Sequence, residues 1–228
     1  MSRWKGIFFG CLIVLGLAGF VTPVTAGEPI DLFNGKDLTG WKAFLADQSV
    51  PMTDVWSVKD GLLICKGEPL GYLYTDRDFT DFHLIVEWRW APGKEPGNSG
   101  VLMRINGEPK PIPRAIEAQL KSGSAGDLYG FHGMKIDGDP ARTRRTPNHQ
   151  LLGDMIGVTK TQANEKTPGE WNRYEITIKG PNVTVLVNGK QVNEARDCEV
   201  AAGPLGLQSE GGEIHFRTVR LTPWTSSH

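Results

Sequence analysis

The chain has 228 residues, and its 26 acidic side chains nearly balance 25 basic ones, for a formal net charge of −1. That balance argues against a nucleic-acid or anionic-membrane partner, since either is recognised through an excess of positive charge. Three cysteines are too few for a disulfide-built scaffold, so a hydrophobic core must supply the stability.

Arg3 and Lys5 open the chain, an apolar run fills residues 7–21, and Val24-Thr25-Ala26 precedes Gly27. This order predicts a secretory signal peptide over residues 1–26, cut after Ala26. The run is shorter than the ~20 apolar residues of a bilayer span. The expectation is therefore a periplasmic or secreted protein, with no stable membrane insertion after cleavage. Most of the run lies after Cys11 rather than before it, which argues against lipid attachment there. The mature chain, residues 27–228, is long enough for one large β-sandwich or two small domains. It keeps Cys65 and Cys198, either bridged to each other or buried separately as small hydrophobes.

Long helical periodicity is absent from the mature chain. Short runs rich in Val, Ile, Leu, Trp and Tyr alternate with Gly, Pro, Asn and Asp, which predicts an antiparallel all-β protein. Residues 55–58 and 62–65 flank Asp60-Gly61 and read as a hairpin. Strands are expected at Phe82–Trp90, residues 101–105 and residues 115–121. Residues 174–178, 183–187 and 190 onward read as strand, turn, strand, turn. Residues 205–207 and 214–216 close the series. Residues 123–166 are polar and rich in Gly and Pro. They read as long loops over one face, a length that is usually functional or flexible.

The two-residue period sorts these strands into faces. Phe82, Leu84, Val86, Trp88 and Trp90 oppose His83, Ile85, Glu87 and Arg89. Val101, Met103 and Ile105 oppose Leu102 and Arg104. Ile116, Ala118 and Leu120 oppose Glu117, Gln119 and Lys121. If the three strands are neighbours in one sheet, Glu87, Arg89, Arg104, Glu117 and Gln119 gather on one surface. A solvated sheet face is polar for no functional reason. Here, though, the face mixes Arg with Glu, and arginine suits fixed, directional recognition.

An ordered series of motifs runs through the mature chain. It comprises L32-F-N-G-K-D-L-T-G-W41, W56-S-V-K-D-G-L62, F82-H-L-I-V-E-W-R89 and G97-N-S-G-V-L-M-R104. E117-A-Q119, G126-D-L-Y-G130, G169-E-W-N172, V187-N-G189 and G203-P-L-G-L-Q208 follow. In order and spacing the series resembles the 3-keto-disaccharide hydrolase family, from about residue 30 to residue 221. The resemblance implies a single domain with a concanavalin-A-like jelly roll of two antiparallel sheets, one of them able to bind a sugar. It also implies an oxidised (3-keto) disaccharide or glycoside as substrate.

A C3 ketone acidifies the proton on C2. A base removes that proton, the C1 substituent leaves, and water adds to the unsaturated product. Such a site needs a general base, a partner for the enolate oxygen and an acid at the leaving oxygen. Glu117 is the expected base, Glu87 the alternative base or the acid, and Arg104 the partner of the enolate oxygen. Arg89, Gln119 and Gln208 are expected to position sugar hydroxyls, with Asn98 and Ser99 at the cleft edge. Tyr129 and Trp171 are candidates for stacking on a ring. A divalent metal ion could polarise the ketone, but no spacing assigns ligands for one. His83 shares the phase of Glu87, whereas His132 and His149 read as loop residues. Two positions depart from the family pattern. Lys121-Ser122 stand where an acidic residue is common, and Ser209-Glu210 where a histidine is common. Either departure implies altered specificity or lost activity if those positions carry chemistry.

Two other readings compete. A classical retaining glycosidase on this fold places two carboxylates on one strand face, and E117-A-Q-L-K121 keeps only the first. A non-catalytic carbohydrate-binding module would depend on aromatic stacking rather than on carboxylates.

Overall fold

The computed structural model describes Met1 and residues 24–226. The basic start and apolar run of the expected signal segment lie outside the described residues. In chain order the strands are β1 (Val24–Ala26), β2 (Ile30–Asp31), β3 (Trp41–Leu45), β4 (Trp56–Lys59), β5 (Leu62–Cys65) and β6 (Gly71–Thr75). They continue as β7 (Phe82–Trp90), β8 (Gly100–Asn106), β9 (Arg114–Gln119), β10 (Leu128–Gly130), β11 (Thr143–His149) and β12 (Gly153–Val158). The last are β13 (Asn172–Lys179), β14 (Asn182–Val187), β15 (Lys190–Ala195), β16 (Gly206–Ser209) and β17 (Ile214–Ser226). One short helix, α1 (Met52–Val55), precedes β4.

Two antiparallel sheets pack face to face. The back sheet runs β15-β14-β13-β7-β17-β5-β4, with β1 and β2 also paired to β17. The front sheet runs β11-β12-β10-β9-β8-β16-β6-β3. This is the all-β jelly-roll sandwich expected from the motif series. β1 holds the three residues before the expected cleavage point and pairs with the end of β17, so a cut after Ala26 would remove it.

Turn chemistry explains the hairpins. Asp60 and Gly61 both have positive φ, 52° and 73°, the backbone that a two-residue turn between right-twisted strands requires. The Asn188-Gly189 turn, at 50° and 77°, does the same between β14 and β15. Between the sheets lie Trp56, Phe82, Trp88, Trp90, Tyr174 and Phe216, all fully buried. Burying side chains of this size contributes ~1.5–3 kcal/mol each. Trp88 and Tyr174 pack at a ring separation of 4.6 Å. The Tyr174 hydroxyl reaches across the core to the front sheet. It donates to the Gln119 carbonyl and accepts from the Gly126 N–H at 2.5 Å. Cys65 and Cys198 are both free and buried, and burial pushes the Cys65 thiol up to about 12.

The structure corrects two expectations. Residues 123–166 hold three strands, β10, β11 and β12, that extend the front sheet beyond β9. β11 is charged and mostly exposed, so it carries no apolar period to reveal it. The second correction concerns pairing: β8 and β9 are neighbours, but β7 lies in the other sheet, between β13 and β17.

Candidate functional site

The alternation in β9 places Ile116 and Ala118 in the core and Glu117 and Gln119 on the outer face of the front sheet. Tyr129 of β10 lies opposite Glu117 on one side, and Leu102 of β8 on the other. Gln208, on β16, faces the same way, since its neighbour Leu207 belongs to the core. Glu117, Gln119, Tyr129 and Gln208 border a hollow of about 250 Å³, which Asn98, Lys121 and Glu210 also line. Phe131, Leu152 and Met155 give it an apolar wall, with the Phe131 ring stacked on Tyr129 at 6.0 Å. A concave hollow that sets an apolar wall against convergent polar groups has the form of a small-molecule site.

Glu117 is 1% exposed and sits at the centre of the polar groups. Its Oε2 accepts one long hydrogen bond, 3.4 Å, from Gln119 Nε2, and its Oε1 has no partner within the protein. Burial, and then the nearby charge of Glu210, raise its carboxyl well above the ordinary value. Gln119 is held so that it can only donate into the hollow: its Oε1 accepts the backbone N–H groups of Leu120 and Lys121 at 2.9 and 2.7 Å. The carboxyl of Glu117 lies over Gly100 of the neighbouring strand. A Cβ at Gly100 would stand 2.0 Å from Glu117 Oε1, so only glycine leaves this space.

Glu210 is the second carboxyl of the hollow. Burial raises it, while hydrogen bonds from Asn98 and Gln208 and the charge of Lys121 act in the opposite direction. Asn98 Oδ1 and Gln208 Oε1 are buried without protein partners, so both remain available as acceptors. The Ser99 hydroxyl donates to the Gln208 carbonyl at 2.8 Å and fixes the β16 backbone rather than lining the hollow. Burial of the Tyr129 phenol moves it up to about 12, which keeps it a neutral donor and acceptor. Its ring lies against Gly157, where a Cβ would come within 2.8 Å.

Glu117, Gln119, Asn98, Tyr129 and Gln208 therefore come together, whereas Arg104, Glu87, Arg89 and Trp171 lie elsewhere and Ser99 sits beside the hollow without lining it. Arg104 is fully buried at the end of the sandwich. It adopts a left-handed φ of 55° within a register shift of β8, and this turns its side chain away from the outer face. Its guanidinium donates to the carbonyls of Thr80, Gly180 and Glu199 at 3.2, 2.8 and 2.7 Å and to Asp81 Oδ1 at 3.1 Å. Every acceptor there is part of the protein frame, so Arg104 is a structural clamp between loops.

Glu87 and Arg89 lie on the outer face of the back sheet, because β7 belongs there. Hydrogen bonds from Arg217, at 3.0 and 3.1 Å, hold the Glu87 carboxyl below the usual range, and Thr218 adds another at 2.6 Å. Trp171 is on the same side, with Arg89 and Arg217 over its ring at 4.7 and 4.6 Å. His83 pairs with Thr177 on the back sheet at 3.1 Å. Among the described residues, no three His, Cys, Asp or Glu side chains converge as a metal-binding group.

In the sequence Lys121 shares the phase of Glu117, and both Lys121 and Glu210 depart from the family pattern. The structure places them in the lining of the same hollow. The G97-N-S-G100 turn, expected at the cleft edge, brings Asn98 to this site, and both of its glycines are required by close approach. Gly97 meets the Gly211 backbone and Gly100 meets the Glu117 carboxyl.

The profile of the 3-keto-alpha-glucoside-1,2-lyase-like domain matches residues 28–222. A 3-keto-disaccharide hydrolase of Bacteroides thetaiotaomicron is 23% identical over 244 aligned positions, covering 87% of this chain and 79% of that protein. A candidate glycosyl hydrolase of Parabacteroides distasonis superposes with a TM-score of 0.60 at 21% identity, over 86% of this chain and 93% of that one. The carbohydrate-binding module CBM66 of Bacillus subtilis superposes at 0.55 with 11% identity, over 80% and 95% of the two chains. The last two likenesses are of fold alone. With the profile spanning well over half of the 228 residues, this protein belongs to the 3-keto-alpha-glucoside-1,2-lyase-like domain family.

Proposed function

We propose that the protein is an exported carbohydrate-active enzyme that cleaves 3-keto-glycosides by proton abstraction at C2, elimination and hydration. The observation that carries this reading is a buried, nearly unpartnered Glu117 in a sugar-sized hollow on the outer face of the front sheet. Family membership supplies the substrate class, and the name of the Bacteroides relative agrees with it.

In this reading Glu117 is the base. Its raised carboxyl suits removal of a proton that a neighbouring ketone has acidified, because a general base works best when its pKa is close to the working pH. As C2 loses its proton, charge moves to the ketone oxygen. Gln119 Nε2, aimed into the hollow by its tethered oxygen, and the Lys121 ammonium are the groups at hand to receive that charge. They take the part expected of Arg104. Tyr129 and Phe131 offer a stacked aromatic wall for a sugar face, and Asn98 and Gln208 offer acceptors for hydroxyls.

The classical retaining alternative would instead use Glu117 as a nucleophile at C1, and membership of a 3-keto-glucoside lyase-like family favours the base role over it. Turnover of a 3-keto-glucoside beside its unoxidised parent tests the choice. Cleavage of the keto form alone is expected, and Glu117→Gln should reduce it by about 10²–10⁴-fold. Equal cleavage of both forms by the wild-type protein would refute the reading. Export is tested by sequencing the N-terminus of the protein recovered from outside the cytoplasm, which should begin at Gly27.

A further inference from the structure

A second hollow, of about 340 Å³, adjoins the first and is walled by Gly67, Glu68, Pro69 and Leu70. Glu210 is the one residue common to the linings of both. Its position is fixed by an unusually close meeting of backbones. The Asn98 N–H donates to the Gly211 carbonyl at 2.8 Å, and the Gly211 N–H donates to the Gly67 carbonyl at 2.7 Å. A Cβ at Gly67 would stand 2.4 Å from Gly212 O, and one at Gly97 would stand 1.9 Å from Gly211 O. Three loops are thus locked together around the carboxylate that stands between the hollows. Ser209, next to it, also donates to the Pro69 carbonyl at 3.0 Å.

We infer that the two hollows hold the two halves of the substrate and that Glu210 is the acid that protonates the departing glycosidic oxygen. This rests on the function proposed above and assigns a further catalytic residue and a leaving-group subsite to it. Glu117 borders only the first hollow, so the ring whose C2 it deprotonates lies there. The bond linking the two rings must then cross the boundary, where Glu210 stands. The second hollow suits a sugar. Pro69 and Leu70 supply apolar surface for ring C–H groups, and the exposed Glu68 supplies acceptors for hydroxyls.

The steps balance within the chain. The Glu117 carboxylate takes the C2 proton, and the electron pair of that bond becomes the C2=C3 bond of an enolate. When the ketone re-forms, the pair shifts to C1=C2 and the C1–O bond breaks. The departing oxygen takes its proton from Glu210. The first hollow then holds an α,β-unsaturated ketone, Glu117 is protonated and Glu210 is ionised. In the return half, Glu210 takes a proton from water as the water oxygen bonds to C1, and Glu117 returns a proton to C2. Both carboxyls end as they began, and one water is consumed. The active form of the pair carries its one proton on Glu210; burial of Glu117 favours the opposite placement, so this form is the minor one in the free protein.

The test is leaving-group dependence. A 3-keto-disaccharide has a poor leaving group that needs an acid, whereas 4-nitrophenyl 3-keto-glucoside has one that departs as an anion. Glu210→Gln should lower kcat/KM for release of the sugar by about 10²–10⁴-fold. It should change release of nitrophenol by less than about tenfold, and that retained activity also shows that the variant is folded. Glu117→Gln should lose both. Equal losses on the two substrates with Glu210→Gln, or no loss on the disaccharide, would overturn the assignment. Methyl 3-keto-glucoside, which leaves the second hollow unfilled, should have a higher KM than the disaccharide. Equal KM values would overturn the subsite. A wild-type protein that cleaves none of the three would overturn the proposed function, and this inference with it.

Discussion

Glu117 gives up nearly all of its hydration on folding and receives one long hydrogen bond in return. Isolated buried charge is costly, so the group keeps its proton to a higher pH than the unfolded chain would. The consequence for stability has a definite sign. The stabilising contribution is full below the unfolded value of about 4.3 and is lost as pH rises toward the higher folded value. Glu117→Gln should therefore melt no lower than wild type at pH 8, and its melting temperature should fall less between about pH 5 and pH 8. A steeper fall would show that the carboxylate is stabilised in place. Glu210 is shifted in the same direction, so some slope should remain in the variant. Gly100→Ala acts on the same carboxyl by steric means, since the new Cβ overlaps Glu117 Oε1. It should cost about 1–3 kcal/mol of stability by overpacking. It should also lower kcat more than it raises KM, which a two-substrate-concentration assay will separate.

At the scale of elements, the two-residue period was a sound guide to faces and no guide to neighbours. Phase alone placed Glu117 and Gln119 opposite Ile116 and Ala118, and that is how β9 is built. Phase also separated Glu87 from Trp88 in β7, yet nothing in an alternating strand says which sheet it joins. Arg104 failed for a different reason. Its left-handed backbone breaks the alternation of β8 at a residue type that gives no warning of positive φ. Arg104→Lys should thus lower stability by about 2–4 kcal/mol, because an ammonium cannot span acceptors on four residues as a planar guanidinium does. Activity per folded molecule should be unchanged, as measured by active-site-normalised turnover below the melting transition. Trp171→Ala removes the aromatic partner of Arg89 and Arg217 on the back sheet. It should leave kcat/KM as in wild type, and a marked loss would mean that the back sheet contributes to the site. The strands between residues 123 and 166 were illegible because edge strands such as β11 bury little and so need no apolar pattern.

On the scale of the whole molecule, the sandwich serves the hollow through a few long-range ties. Asp-Gly and Asn-Gly turns and the aromatic core made the all-β architecture readable in the sequence, since both are written in local residue types. The ties that aim the site were not readable, because each joins residues far apart in the chain. Tyr174 is the clearest. From the back sheet it holds the Gln119 carbonyl and the Gly126 N–H. Tyr174→Phe should cost about 1–3 kcal/mol for two lost hydrogen bonds. It should also reduce kcat with KM little changed, since it positions the strand that carries Glu117 without lining the hollow. Denaturant unfolding beside steady-state kinetics will read both effects. Deuterium at C2 of 4-nitrophenyl 3-keto-glucoside bears most directly on the chemistry itself. With so good a leaving group, removal of the C2 proton should limit the rate, so the labelled substrate should release nitrophenol several-fold more slowly than the unlabelled one. Equal rates of release from the two would contradict C2 proton abstraction as the route of cleavage.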